Sequence, residues 1–306
     1  MATPRPSMSA TDGALAMVTM TDFDSALVDP VWDAVGLTTD WRVDPAKEHQ
    51  LAFYGGRRRL ANDIKIGEAY TASFSLDVEA VGLAMYDRVT KDLNGTGTAE
   101  EVLAFACRVK YAGTDFYYLL KGALLNEVTL TIARDIVKAT FSVMILTSVD
   151  ILTLAEFRTA TGLDVAENPV FNAPPAPEPF THLSPGAGVI PCTFNGVEKG
   201  IISIAITHTN GVQPIRCTND VIASGGAIGH QSVRLTITVY ENTREFFQGM
   251  KADTYYDIVY KINTTQQITM DDFKINGHPI AHPQTSEDLG TIGLTLDGPA
   301  AILGTI

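Results

Sequence analysis

Apolar and polar residues alternate at period two through Ser232–Tyr240, with Val233, Leu235, Ile237 and Val239 on one side and Arg234, Thr236, Thr238 and Tyr240 on the other. Successive side chains of a strand point to opposite faces, so this pattern predicts a strand covered on one face only. The period then changes. Asn242 is placed to cap a helix, Glu245 stands three residues on as in a capping box, and Phe246, Phe247 and Met250 fall on one helical face. Residues 255–262 return to strand. The first half of the chain has the same order: 70–78 alternates, 83–93 reads as a short amphipathic helix, and 102–111 as a strand. The two stretches share order, period and size without close identity, which predicts a duplicated β unit.

The other periodic stretches extend the picture. Glu127, Thr129 and Thr131 alternate with Val128, Leu130 and Ile132, and 138–146 runs back as the second arm of a hairpin. Ile202, Ile204 and Ile206 form an apolar row opposite Ser203, Ala205 and Thr207. Thr71, Ser73, Ser75, Asp77 and Glu79 stand opposite Phe74, Leu76 and Val78. Residues 1–13 read as a loose arm, 14–28 as a strand, 30–41 as a turn, and 50–66 as a long hairpin or loop projecting from a sheet. Residues 153–161 suit one or two helical turns stopped by Gly162. Gly225, Gly226 and Gly229 mark a flexible loop, 267–275 and 290–296 are closing strands, and the chain tails off through Pro299. Seven prolines in the 23 residues 169–191 rule out a central strand and favour an extended joint. The expected organisation is a first β unit with an N-terminal arm over 1–165, a linker over 166–191 and a second β unit over 192–306.

Composition narrows the class. A 306-residue chain with 45% hydrophobic residues can bury a large core, and its four Asn-Gly pairs, at 94, 195, 210 and 276, favour tight hairpin turns. The fold class is mostly β with short flanking helices. A net charge of −13 argues against a groove that binds nucleic acid, which needs concentrated positive charge; an acidic wall past which DNA must slide remains compatible. Cys107, Cys192 and Cys217 are scattered without metal spacing and read as reduced, buried thiols. The apolar run 141–149 is too short to span a bilayer, so no membrane insertion is expected.

Sites of chemistry are sparse. Gly225-Gly226-Ala227-Ile228-Gly229 lacks the lysine and the setting of a phosphate-binding loop. His278 and His282 have helical metal spacing but are followed by Pro279 and Pro283, which makes a turn of the segment. Asp271-Asp272 and Glu287-Asp288 read as solvated turns. No nucleophile–base pair stands out, so no catalytic residue, metal or cofactor is assigned and the chain is not expected to be an enzyme. Arg57-Arg58-Arg59 is the dense basic cluster. It is either an exposed loop or an interface whose guanidinium forks take carboxylates from other copies of an acidic chain, with nucleic-acid contact a third reading.

The order of parts resembles a family. It runs from a loop-bearing first strand to an alternating strand with a short helix, then through Lys121 to Ile132, a Pro-rich joint, Ile202 to Asn210 and a Gly-rich loop. It ends in Val233 to Tyr240 running into a Glu-Phe-Phe helix. This is similar to the major tail tube proteins of long-tailed phages and archaeal tailed viruses, of the kind with two tube-forming units in one chain, over residues 45–296. The resemblance implies a β-sandwich or half-barrel per unit, closing into a continuous β-barrel on oligomerisation. Rings of three chains with pseudo-sixfold symmetry, or of six, would stack into a hollow tube. It implies a structural virion protein of the tail, assembled in the host cytoplasm. Its partners would be itself, the tape measure protein and viral genomic DNA in the bore, and the tail terminator and baseplate proteins. The polar strand faces then become candidates to line the bore: Thr71, Ser73, Ser75, Asp77, Glu79, Glu127, Thr129, Thr131, Ser203, Thr207, Arg234, Thr236 and Thr238. Arg57, Arg58 and Arg59 become a candidate ring-to-ring contact. The alternatives are another tail component on the same fold, such as a terminator or baseplate ring, and a carbohydrate-binding β-sandwich.

Overall fold

The computed structural model describes residues 15–36, 38–53, 60–77, 80–90, 101–111, 113–132, 137–163, 192–216, 223, 225–240, 245–262, 265–277 and 291–306. The first half contains β1 (Leu15–Thr19), β2 (Asp33–Gly36), β3 (Thr38–Phe53), β4 (Leu60–Asp77), α1 (Ala80–Val89), β5 (Leu103–Tyr111), β6 (Thr114–Ile132), β7 (Val137–Leu152) and α2 (Leu154–Thr161). The second contains β8 (Cys192–Phe194), β9 (Val197–Glu198), β10 (Ile201–Thr209), β11 (Gln213–Ile215), β12 (Gly225–Ala227), β13 (Ser232–Tyr240) and α3 (Glu245–Lys251). It closes with β14 (Tyr255–Lys261), β15 (Gln266–Gly277), β16 (Thr291–Gly298) and β17 (Ile302–Thr305). The molecule is mostly antiparallel β with a few short helices, as the alternating patterns require.

One strand order occurs twice. Neighbouring strands run β3-β4-β7-β6-β5-β1-β2 in the first half and β10-β13-β16-β15-β14-β8-β9 in the second. The irregularities coincide as well. The register slips between Thr38 and Asp40 in β3 and between Ile201 and Ser203 in β10. It slips again between Leu125 and Glu127 in β6 and between Ile275 and Gly277 in β15. A third shared bulge places Gly122 and Asp272 at φ 65° and 59°. Such bulges bend a strand and increase its twist, so each half folds its sheet at matching points. The halves are joined because Glu127–Ile132 of β6 pairs with β10 on the edge opposite β7.

The core lies between the folded layers. Phe74, Phe105 and Phe141 pack together in the first half, with Phe74 and Phe141 stacked at 5.2 Å between ring centroids. Met85, Tyr86 and Val89 of α1 close over them, and the buried Tyr86 hydroxyl donates to the Ala301 carbonyl at 3.0 Å. In the second half Phe246 of α3 sits edge-on to Phe194 at 5.3 Å and against Tyr256. Burying each of these aromatics contributes about 2–3 kcal/mol. A second cluster covers the outside of the first half: Trp32, Tyr117, Leu119, Leu124, Leu146 and Phe157, with Val212 and Ala223 reaching over from the second.

Several expectations change. Residues 30–41 are not a turn: β2 and the start of β3 lie there, and Trp32 is buried against Phe157, because the segment covers the outer sheet. The loop expected around Gly225 contains β12, paired to β11. The chain does not tail off at Pro299; the proline, which has no N–H, splits into β16 and β17 what is one strand, β7, in the first half. Asp271 and Asp272 form a bulge inside β15 rather than a turn between elements. Ile202 is 36% exposed, since the bulge at that position turns it out of the apolar row. Among the Asn-Gly pairs, Asn195-Gly196 makes the hairpin turn with both φ positive, Asn276 is a bulge and Asn210 is buried. Asn94, Asn242, the proline-rich segment, His278, His282, Glu287, Asp288 and Cys217 lie outside the described residues.

A polar sheet face as the candidate functional surface

Strands β3, β4, β7, the end of β6, β10, β13 and β16 lie side by side, and their alternation is in phase. One face carries Phe74, Phe141, Val128, Leu130, Ile204, Ile206, Val233, Leu235 and Ile237, all buried in the core. The other face is polar from strand to strand. Ser75, Thr140, Thr129, Thr207, Arg234 and Asp297 are successive register partners from β4 to β16. A second row runs Ser73, Ser142, Glu127 and Thr209, and a third Lys138, Thr131, Ala205, Thr236 and Thr295. Thr238 stands opposite Ser203.

The hydroxyls bond to one another along these rows. Ser75 and Thr140 are 3.0 Å apart, as are Thr129 and Thr207, the latter pair crossing the seam between the halves. Thr209 donates to Glu127 at 3.2 Å. The Arg234 guanidinium meets Asp297 at 2.9 Å, and this hydrogen bond holds its pKa above the ordinary arginine value. Arg42 and Asp44 pair at 2.6 Å on the same side of β3. Asn276 also donates to Asp297. Among the described side chains of this face, three acids (Asp44, Glu127, Asp297) stand with three bases (Arg42, Lys138, Arg234). A fixed, balanced set of hydroxyls and ion pairs offers neither a cation array nor an apolar patch to a passing polyanion.

Thr71, Ser73, Ser75, Glu127, Thr129, Thr131, Ser203, Thr207, Arg234, Thr236 and Thr238 all lie on this one face. Ser75 is 7% exposed, closed in by its neighbours, whereas Thr71, Thr131, Arg234 and Thr236 are open. Asp77 is the last residue of β4, opposite Lys138 in register, and its side chain lies outside the described set. Glu79 and Arg57, Arg58 and Arg59 are outside the described residues. The β3–β4 hairpin itself extends beyond the sheet, paired out to Phe53 and Leu60 while β4 meets β7 only over Tyr70–Asp77. Sequence reading missed Lys138, Thr140, Ser142, Thr209, Thr295 and Asp297. Their signal was the same alternation, in β7 and β16.

A cleft of about 1050 Å³ opens at one end of the face, walled by Glu127, His230, Arg234 and Asp297. Among the described residues no three His, Cys, Asp or Glu side chains converge as metal ligands. Cys107 and Cys192 are buried free thiols, and burial pushes both up to about 12. Among the described residues no helix is long and apolar enough to cross a membrane.

A family model described as phage tail tube protein matches residues 9–300. No curated protein matches the sequence.

Proposed function

Because the chain belongs to the phage tail tube protein family, we propose that it is a major tail tube subunit, self-assembling into stacked rings whose bore delivers the genome to the host cell. The observation that carries this reading is the polar face that continues without a break across β4, β7, β6, β10, β13 and β16. A sheet apolar on one side and polar on the other, extended sideways by further copies, curls into a barrel with a wet interior. Thr71, Ser73, Ser75, Asp77, Glu79, Glu127, Thr129, Thr131, Ser203, Thr207, Arg234, Thr236 and Thr238 are assigned to that interior. Among the described side chains of that wall three acids stand with three bases, so DNA passes a surface with no net positive charge to hold it.

Two tube-forming units, 1–165 and 192–306, joined by a linker over 166–191, explain why one strand order and its bulges occur twice. Three such chains supply as many units as six single-unit subunits, which favours a threefold ring with pseudo-sixfold symmetry. Arg57, Arg58 and Arg59, between β3 and β4 in the chain, are assigned to the contact with the next ring. In the virion the tube would enclose the tape measure protein and then the DNA, and end on terminator and baseplate proteins. Chains would assemble in the host cytoplasm.

Electron microscopy of the purified protein at high concentration, with rotational averaging of end-on views, tests the reading. Hollow rings or tubes with threefold-modulated sixfold views are expected. Particles that stay single chains even when seeded with native tail ends would overturn it.

A further inference from the structure

Each described cation of the polar face stands beside an acid. Arg42 pairs with Asp44 at 2.6 Å, Lys138 has Asp77 as its register partner, and the Arg234 Nε–H donates to Asp297 at 2.9 Å. The last pair is built across two strands. Arg234 of β13 and Asp297 of β16 are direct register partners, so their side chains leave the sheet on the same face. A third group fixes the acid. The register slips between Ile275 and Gly277, which leaves Asn276 as the extra residue of a bulge in β15, and a bulge re-aims a side chain. The Asn276 amide donates to Asp297 Oδ2, while Oδ1 takes Arg234. Both carboxylate oxygens are thereby engaged, by a guanidinium and an amide, as the oxygens of a bound phosphate would be.

The first half shows that the two charges go together. Trp41 pairs with Phe74 as Ile204 pairs with Ile237, which makes Thr71 the counterpart of Arg234. The register partner of Thr71 in β7 is Met144, the counterpart of Asp297. Where the arginine is a threonine, the acid is a methionine. The bulged residue of that half is Asn126, whose side-chain oxygen accepts the Val212 N–H at 2.8 Å instead.

We propose that Asp297 is a resident anion that occupies the phosphate-binding position of Arg234, with Asn276 as its positioning residue. This rests on the reading of the face as a bore, where the phosphate kept out is that of the passing DNA. The pair lies in the cleft with His230 and Glu127. Without Asp297, Arg234 would present its guanidinium fork to an oxyanion there. An exposed ion pair adds little to stability. Its net charge is zero, however, and a neutral pair gains nothing from displacing the counterions of DNA. Masking, rather than stability, is what the pair supplies.

Inorganic phosphate is the probe, titrated into the full chain below its assembly concentration and followed at the Arg234 Nε–H resonance. Asp297→Asn keeps an acceptor for Arg234 and removes the charge. A unit charge about 4 Å away changes phosphate affinity by about fivefold in water and by more in a cleft, so this variant should bind phosphate tighter by that factor or above it. Glu127→Gln removes the same charge from the same cleft but leaves the pair intact, and should change little. Asp297→Asn with Arg234→Gln should lose the gain, and Asn276→Ala should give a smaller one with no change of charge. Equal gains from Asp297→Asn and Glu127→Gln would assign the effect to bulk charge and overturn the proposal. So would a folded Asp297→Asn chain that binds phosphate no better than the unaltered one. In virions Asp297→Asn should slow genome release at low ionic strength; normal release beside tightened phosphate binding would overturn the assignment to DNA. The titration needs no assembly, so the mask can fail while tubes form normally, and a chain that never forms rings overturns the bore reading alone.

Discussion

Gly298 lies against Phe273: a Cβ at residue 298 would clash with the phenyl ring. The matching pair in the first half is Ile145 beside Ala123, direct register partners. Large and small residues have changed strands while filling one site in each half. Gly298→Ala should therefore cost about 1–3 kcal/mol through overpacking, and Phe273→Ala about 3–5 kcal/mol through the cavity. Phe273→Ala combined with Gly298→Ile should recover most of that loss. Urea midpoints at constant slope for the four members of the cycle measure it. Asn210 shows a limit of sequence reading at this scale. Asn-Gly is a turn signal, but here the asparagine is buried and ties three elements together, a role set by distant carbonyls that no local pattern records. The cysteines behaved as composition predicted for the two that are described. Their thiols keep protons up to about 12, against 9.0 ordinarily. Between those values the unfolded chain loses protons that the folded chain retains, so stability is full below pH 9 and falls as pH rises. Melting temperatures between pH 8 and 11 should drop, and Cys107→Ala with Cys192→Ala should flatten that drop relative to its own value at pH 8.

Among the elements, those with a clean period were legible and those defined by irregularity were not. The alternation of Ser232–Tyr240 became β13, and the helical signal at 153–161 became α2 with a full capping box. The Thr153 side chain takes the Glu156 N–H, and Glu156 takes the Thr153 N–H at 2.8 Å. The Thr153 N–H, and after it the Thr153 hydroxyl, donate to the Glu156 carboxylate and hold it below its ordinary pKa. Thr153→Ala should destabilise the chain by about 1 kcal/mol, and Thr153→Ser should restore it, read from thermal melts. Since α2 holds Phe157 on Trp32 and Tyr117, local loss should appear first as faster amide exchange in 154–161 and in the cover around Trp32. The bulges were illegible because an extra residue shifts the phase without changing composition. Asp271-Asp272 therefore read as a turn, although Gly122 fills the matching place in β6 with the same left-handed backbone. Residues 30–41, read as a turn, misled for a related reason: the decisive fact is a distant aromatic pocket that takes Trp32.

At the scale of the whole molecule, repeated order proved more informative than identity. Two stretches of strand, helix and strand pointed to a seven-strand order that occurs twice, because a duplicated fold keeps its strand pairing long after its core residues have been exchanged. The polar face was legible strand by strand; that the strands lie side by side in phase was not, since register across a seam depends on pairings between residues far apart in sequence. That face leads to the last prediction. Thr129 and Thr207 are hydrogen-bonded across the internal seam at its middle, and the described charges around them cancel. Replacing both by lysine adds two cations to each chain, repeated at every ring along the tube. Side chains on the polar face leave the apolar core unchanged, so rings should still form. A polyanion sliding past would then exchange its counterions for fixed lysines, a contact that weakens steeply with salt. Genome release from virions carrying Thr129→Lys and Thr207→Lys should slow at low ionic strength and recover as salt is raised. Thr129→Gln with Thr207→Gln, equal in reach and uncharged, should release at the normal rate. Release unaffected by the lysines in intact tubes would place this face away from the path of the DNA.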